Sequence, residues 1–417
     1  MRNLGSAIIG YDLNDTYAQI SYLKAGETEP ETASLVLGLE LFNIPLALYK
    51  EPGSNSWLYG NEAIKKDQPF THLLGLAISG TAVTVEAEQI DPVSLLALFV
   101  KRSLSILTMQ VNTDDIAAFM FTTPEVTPRI VEIVAEIALS LSLSPERVYL
   151  QSYRESMYQY IVHQPKELWN HQVLLFDYAS HMKAFRLEMN KKTTPIVVFI
   201  ESESFPELRY TADPSERQKK EWDEQFLLIS GDLIKGRIVS SIYLVGEGFK
   251  DEWANESLKY LCQGRRAFRG NNLYSKGACY GAMEKFNPGE LSKKMIFLGE
   301  EKLKANIGIR LKRNGLESYF AILDAGANFY ECANSFELIL DEEPKLSLII
   351  TSLTGSSVTE QIITLPGLPE RPGRTTRLHI AIRLKSAAIA VLSIADLGFG
   401  DLFPTSGKEW SILCPLC

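Results

Sequence analysis

Apolar and polar positions recur along this chain with two different periods. Ala7 to Leu23 reads as two strands around a polar turn: Ile8 and Ile9 lead in, Asp12-Leu13-Asn14-Asp15-Thr16 turns, and Ala18, Ile20 and Tyr22 alternate on the way out. Asp91-Pro92 then predicts a helix start, with Asp as N-cap and Pro in the first turn. Its apolar stripe is Leu95, Leu96, Phe99, Val100 and Ile106-Leu107. A buried strand comes next over Ala117 to Phe121, closed by Thr122-Thr123-Pro124. Ile130, Val131, Val134, Ile137, Ala138 and Leu141 return to helical spacing.

A second β region opens with Val173-Leu174-Leu175-Phe176, a wholly apolar strand that stops on Asp177. Phe185, Leu187 and Met189 alternate with charged residues, so the returning strand has one buried face. The polar stretch Tyr210 to Glu224 precedes a helix, then the strand Ser241 to Val245, which runs into Gly246-Glu247-Gly248. Asp251 to Cys262 reads as the next helix. Beyond Lys285-Phe286-Asn287-Pro288-Gly289 the texture changes to short strands and turns. In Arg377 to Lys385, for example, Leu378, Ile380, Ile382 and Leu384 face one way and Arg377, His379, Arg383 and Lys385 the other. This pattern predicts an α/β domain over 1–288 and an antiparallel β-sandwich over 289–417, with Met295 to Leu298 as the first strand of the sandwich.

Composition narrows the function. The 417 residues carry a formal net charge of -9, which argues against a general affinity for nucleic acid. The local exception, Gly264-Arg265-Arg266-Ala267-Phe268-Arg269-Gly270, reads as a solvated loop. The longest apolar run, Leu95 to Val100, is far short of a membrane span, and Asp12 and Asp15 interrupt the N-terminal apolar stretch where a secretory signal would continue. Five scattered cysteines suit reduced thiols, so a cytoplasmic protein without nucleic-acid or membrane partners is expected. Cys414 and Cys417 have metal or redox spacing, but a zinc site would need two further ligands from elsewhere.

Several stretches, in order, resemble the DnaK/heat-shock-70 family. Ile9-Gly10-Tyr11-Asp12-Leu13-Asn14-Asp15-Thr16 is similar to its first phosphate loop, I-G-I-D-L-G-T-T, and Thr123-Pro124 to its V-T-V-P, with Arg129 at the place of the following arginine. Tyr153-Arg154-Glu155-Ser156-Met157 stands where the family has N-E-P-T-A. Leu174-Leu175-Phe176-Asp177 looks like the strand before the second phosphate loop. Tyr243 to Gly248 resembles the V-L-V-G-G of the adenosine loop, Ala278-Cys279-Tyr280-Gly281-Ala282 the closing A-x-Y-G-A helix, and Leu365 to Gly373 the G-I-P-P-A-P-R-G turn of the peptide-binding sandwich. The resemblance implies an actin-like ATPase fold of two ribonuclease-H-like halves, ATP or ADP with Mg²⁺ as cofactor, and a protein or peptide partner. By the same resemblance Asp12 and Asp177 would hold Mg²⁺ through water, Asn14, Thr16, Gly246 and Gly248 would line the nucleotide, and Glu155 would orient the attacking water.

Each of these residues has a second reading. Asp12 and Asp177 end buried strands, where an aspartate caps the turn. Glu155 reads as a solvated helix residue, and Gly246 and Gly248 as room for the next helix rather than a ligand. The departures from the family are also specific. Phosphate loops need glycines so that backbone N–H groups reach the phosphates, yet Asn14 and Asp15 replace Gly and Thr, and Tyr178-Ala179-Ser180-His181 replaces G-G-G-T. Thr71, in Thr71-His72-Leu73-Leu74-Gly75, stands at the family's phosphate-directed lysine, which removes a stabilising cation. Met182 to Ser240 is too short for the adenine-clamping subdomain. His72 and His181 near the would-be site are too few for a metal centre. The expectation is a divergent protein with a degenerate nucleotide site that binds or scaffolds proteins, with weak or absent ATPase activity. Its rivals are an active ATP-dependent chaperone and a small-molecule kinase of the same superfamily.

Overall fold

The computed structural model describes all residues except 1–6, 37, 87, 114, 342, 354–356 and 417. The chain divides into two compact units, Met1–Ile296 and Phe297–Cys417. The first is mixed α/β and the second is β-rich.

The first unit contains one folding pattern twice. Strands β1 (Ala7–Leu13), β2 (Tyr17–Leu23) and β3 (Glu31–Thr32) form an antiparallel meander; after an insertion of short strands and helices between Ile44 and Ile90 come helix α1 (Pro92–Ser103), β4 (Ile116–Thr123), α2 (Pro128–Ser140), β5 (Val148–Ser152) and α3 (Tyr153–Val162). The strand order is β5-β4-β1-β2-β3, with β1, β4 and β5 mutually parallel. The same succession recurs as β6 (Gln172–Tyr178), β7 (His181–Asn190), β8 (Ile196–Arg209), α4 (Glu216–Ile234), β9 (Val239–Val245), α5 (Asn255–Leu261), β10 (Arg266–Arg269) and α6 (Leu273–Phe286). Its order is β10-β9-β6-β7-β8, again with the meander antiparallel and β6, β9 and β10 parallel. Both first strands, β1 and β6, are central in their sheets, which is why both read as apolar runs.

Local chemistry starts the helices where the sequence predicts. Asp91 caps α1 by accepting from the Ser94 N–H, Thr127 caps α2 through the Ile130 N–H, and Ser215 and Gln218 form a capping box on α4. Helix α6, the last of the second half, packs on β1, β2 and β4 of the first half and against α3. Its fit there depends on small residues. A Cβ on Gly10 would lie 2.3 Å from the Cys279 nitrogen, and one on Gly277 2.0 Å from the Ser156 carbonyl oxygen.

Three expectations are corrected. The basic run near Arg266 is strand β10, not a loop: Phe268 stacks on Tyr243 at 5.2 Å, and Arg265 donates to the carbonyls of Tyr260 and Leu261 at the end of α5. The helix expected over Asp251 to Cys262 is shorter, Asn255–Leu261. After helix α7 (Glu290–Lys294), strand β11 (Met295–Phe297) does not start the C-terminal domain; it lies beside β8 at the edge of the second sheet. The unit boundary accordingly falls after Ile296 rather than at 288.

The second unit contains two four-stranded antiparallel sheets. One has the order β13-β12-β15-β16, from β12 (Ala305–Arg313), β13 (Leu316–Leu323), β15 (Lys345–Ser352) and β16 (Val358–Thr364). The other has β14-β17-β18-β19, from β14 (Ala333–Ile339), β17 (Arg377–Ser386), β18 (Ile389–Gly398) and β19 (Glu409–Pro415). The alternation in β17 behaves as read: Leu378, Ile380, Ile382 and Leu384 are buried. Phe320 on β13 meets Phe336 on β14 at 5.3 Å. Asp396 is buried against Arg371, which makes two 2.9 Å bonds to its carboxylate from the turn Leu365 to Gly373. Cys414 is buried, and Cys417 lies outside the described residues. No helix among the described residues is long and apolar enough to cross a membrane.

Candidate functional site

The two halves of the first unit place equivalent aspartates at the ends of their central strands. Asp12 is the penultimate residue of β1 and Asp177 of β6. Each half also aims a tyrosine at the site from the first turn of a helix: Tyr153 opens α3, and Tyr274 is the second residue of α6. The Tyr153 hydroxyl donates to Asp12 Oδ1, and the Tyr274 hydroxyl donates to Asp177 Oδ2 at 2.9 Å. The two rings stack on each other, centroids 3.9 Å apart and 10° from parallel. The result is one continuous bridge, carboxylate to tyrosine to tyrosine to carboxylate, across the middle of the unit.

Burial controls the electrostatics here. It pushes the Asp12 carboxyl up to about 8, against the lowering effect of the Tyr153 hydrogen bond and with a further push from Asp177. Asp177 is raised to about 6, also by burial, opposed by the Tyr274 hydroxyl, Lys183 and the Ala179 N–H. Burial and the nearby carboxylates hold the hydroxyls of Tyr153, Tyr274 and Tyr17 well above the ordinary range, so all three stay protonated donors. Asp12 Oδ2 is buried with no hydrogen-bond partner among the described residues.

The first loop satisfies its own backbone. Asn14 Oδ1 accepts from the Thr16 N–H at 2.9 Å, the Thr16 hydroxyl at 2.9 Å and the Tyr17 N–H at 3.0 Å, while its Nδ2 donates to the Tyr153 hydroxyl at 3.1 Å. Asp15 is held by its neighbours: Oδ1 accepts from the Gly75 N–H and Oδ2 faces His72 Nδ1, both at 2.8 Å. The stretch carrying Thr71 therefore does lie beside the first loop, but it brings a histidine to an aspartate rather than a cation to a ligand.

The second loop is filled by its own side chain. Tyr178 is fully buried, with Tyr210, Trp222, Phe249 and Trp253 around its ring at 5.6–5.8 Å. Gly246 and Gly248 make room for this residue. A Cβ on Gly246, whose φ is +100°, would lie 2.7 Å from the Tyr178 carbonyl carbon, and one on Gly248 2.3 Å from the Tyr178 ring. Between them, Glu247 accepts from Asn43 Nδ2 at 2.7 Å and pairs with Lys250 at 2.6 Å. Asn43 in turn accepts from Gln19 of β2. A second polar strap thus joins the halves.

The sequence-predicted residues separate accordingly. Asp12, Asn14 and Asp177 share the tyrosine bridge, whereas Thr16 is exposed and its hydroxyl donates to Asn14 Oδ1. Glu155 is buried in α3 rather than solvated, because the first turn of that helix lies against the core, and its charge acts on Tyr158. His181 faces Ser180 and Ser204 and joins no other histidine.

Residues 29–300 match the model described as "Family of unknown function (DUF5716) C-terminal". The chain belongs to that family. Residues 302–413 match "Domain of unknown function (DUF8552)", so the two matches meet close to the boundary between the compact units. The family match contains Glu155, Asp177, Gly246 and Gly248 and begins after Asp12, Asn14 and Thr16. No curated protein matches the chain.

The residues around Asp12 and Asp177 do not fit a magnesium nucleotide. Tyrosine hydroxyls take one oxygen of each carboxylate that would face hydrated magnesium, Asp12 Oδ1 and Asp177 Oδ2. Asn14 takes the loop N–H groups that would face phosphate, and Tyr178 takes the space beside Gly246 and Gly248. Among the described residues no group of three or more His, Cys, Asp or Glu side chains is placed to hold a metal ion. Sequence reasoning missed Tyr17, Tyr274, Gln19 and Asn43 altogether and treated Tyr153 only as part of a longer stretch. For Tyr153 the available signal was an aromatic residue where the resembled family has a polar one; Gln19 and Asn43 offered none.

Proposed function

We propose that the first unit is an actin-like pair of ribonuclease-H-like halves that keeps the architecture without the nucleotide chemistry, and that the protein acts as a protein- or peptide-binding scaffold. The repeated strand order and helix succession support the fold reading. The observation that carries the functional reading is the bridge from Asp12 through Tyr153 and Tyr274 to Asp177, which ties the two carboxylates together through protein side chains. A scaffold needs a surface for its partner. Strand β13, an edge strand, leaves Leu316 74% and Phe320 38% exposed, so apolar side chains and an unpaired backbone edge occur together there.

Calorimetric titration with ATP and ADP in the presence of Mg²⁺ tests the reading. We expect a Kd weaker than about 0.1 mM, a binding free energy weaker than roughly -5.5 kcal/mol. Micromolar binding of either nucleotide would mean that the tyrosine bridge opens readily, and the degenerate-site reading would fall.

A further inference from the structure

The second unit carries an apolar knob at one end. Between β18 and β19 the chain forms a loop over residues 399–408, and both of its sides are fixed to one buried ion pair. Asp396, near the end of β18, accepts from Arg371, from the N–H groups of Gly398 and Ser406 at 2.9 Å, and from the Ser406 hydroxyl at 2.6 Å. Arg371 also donates to the Pro404 carbonyl at 2.8 Å. The Phe399 N–H donates to the Phe403 carbonyl at 2.6 Å and closes the tip. That closure needs Gly398, whose φ is +65°, because a Cβ there would lie 2.4 Å from the Phe403 carbonyl oxygen. On this fixed tip Leu402 is 87% and Phe399 43% exposed. A lone exposed leucine is ordinary on a protein surface, but here the loop that presents it is ordered in advance, so docking requires little further ordering.

The other end of the same unit holds a pocket. Strand β18 has ten residues and runs from Ile389, opposite Pro415 of β19, to Gly398. Its two ends are therefore roughly 30 Å apart. At the Ile389 end, Leu303, Ala305, Ile350, Ala387 and Leu416 line a cavity of about 200 Å³, with Lys304 among them. Leu303, Ala305, Ile350 and Leu416 are buried and give the cavity an apolar floor. A cavity of about 150 Å³ already accepts a benzene ring, so a leucine side chain fits. The charges match as well. Asp401, beside Leu402, is exposed, and Lys304 is half-buried in the pocket wall. Neither has an ion-pair partner among the described residues. The knob is thus an apolar side chain flanked by an acid, and the pocket an apolar floor flanked by a base.

We propose that the chain docks head to tail on a second copy of itself, with Leu402 of one copy seated in the pocket of the next and Asp401 set against Lys304. The tip cannot fill the pocket of its own copy, which lies a strand length away. Two different patches meet, so the contact is heterologous and repeats from copy to copy instead of closing as a two-fold dimer. One apolar anchor and one ion pair make an interface below about 1,200 Å², so the association is weak, with a Kd on the order of 0.1 mM. It uses neither the tyrosine bridge nor strand β13.

Sedimentation velocity on the full chain, from about 5 µM to about 1 mM, reads the contact. The weight-average mass should rise with concentration and pass that of a dimer without a plateau. Leu402→Glu changes a side chain in solvent and should weaken association at least tenfold. Asp401→Lys and Lys304→Glu should each weaken it, and the double variant Asp401→Lys/Lys304→Glu should recover most of the wild-type association, because the pair is only reversed. A wild-type chain that stays monomeric at about 1 mM overturns the proposal. So does a plateau at the dimer, which would mean a two-fold contact through another surface. Association undiminished in Leu402→Glu assigns it elsewhere, to an edge such as β13, and a double variant no better than the single ones removes the Asp401–Lys304 pairing.

Discussion

A carboxyl group enclosed in protein, with a second carboxylate nearby, holds its proton more tightly than one in water even where a tyrosine donor opposes the shift, and Asp12 is pushed up to about 8 for that reason. In the unfolded chain the same group ionises near the ordinary value of roughly 3.9. The folded protein therefore binds more protons between those two points. The Asp12 contribution is fully present below the unfolded value and is lost as pH rises towards about 8. Asp177, raised to about 6, adds to the lower part of the same window. Asp12→Asn keeps an oxygen for the Tyr153 hydroxyl and removes the titration. We expect its melting temperature to vary less with pH than the wild type's and to exceed it at about pH 8 by a few degrees, on the scale of roughly 2 °C per kcal/mol for a unit of this size. Thermal melts across pH decide this; a wild-type protein as stable at about pH 8 as at about pH 5 refutes it. Tyr153→Phe keeps the ring stack but deprives Asp12 of its donor. It should cost about 1–3 kcal/mol in denaturant titrations and make the pH dependence steeper. A neutral effect would show that the hydroxyl is not what holds the carboxyl.

Among the elements, close approach separates glycines that the sequence presents alike. Gly10 brings β1 against the backbone of α6, where a Cβ would meet the Cys279 nitrogen and the Ser275 oxygen at 2.3 Å. Because these are backbone atoms, no side-chain rotation relieves the clash, and Gly10→Ala should cost about 3 kcal/mol. Gly231, inside α4, has nothing within 4 Å of its Cβ position. Gly231→Ala should stabilise the protein by about 0.5–1 kcal/mol through helix propensity. Urea unfolding of the two variants gives both values, and equal effects would contradict the packing argument. The contrast also indicates how far the elements could be read. Strands β1, β6 and β9 and helices α1 and α2 were legible because burial, alternation and caps all lie within a few residues of each other. Strand β10 was not, since Arg266-Ala267-Phe268-Arg269 reads as solvated until Tyr243 is placed beside Phe268. The site was legible at Asp12 and Asp177, whose strands end visibly. It was illegible at Tyr274, which stands 97 residues from its partner Asp177 and reaches it only when α6 folds back on the other half.

At the scale of the whole chain, Asn287-Pro288-Gly289 reads as a domain boundary because a helix cannot continue through it. That inference is local and correct about the helix, which ends at Phe286. It is incomplete about the domain, because the place of the next strand depends on a partner far back in the sequence: β11 lies beside β8, at the edge of the second sheet. The placement has a mechanical consequence. A fragment 1–288 loses β11 and the Gly289 N–H that Glu284 holds, and leaves the edge of β8 unpaired. An unpaired edge strand is a template for association. A fragment 1–296 retains Gly289 and most of β11. We therefore expect 1–296 to melt higher than 1–288 by several degrees and to remain monomeric under conditions where 1–288 self-associates, as read by calorimetry and light scattering. The fragment 297–417, with two complete four-stranded sheets and its own buried Arg371–Asp396 pair, should fold alone with a single cooperative transition. If 1–288 proves as stable and as monomeric as 1–296, β11 contributes nothing to the second sheet, and the boundary belongs at Pro288 after all.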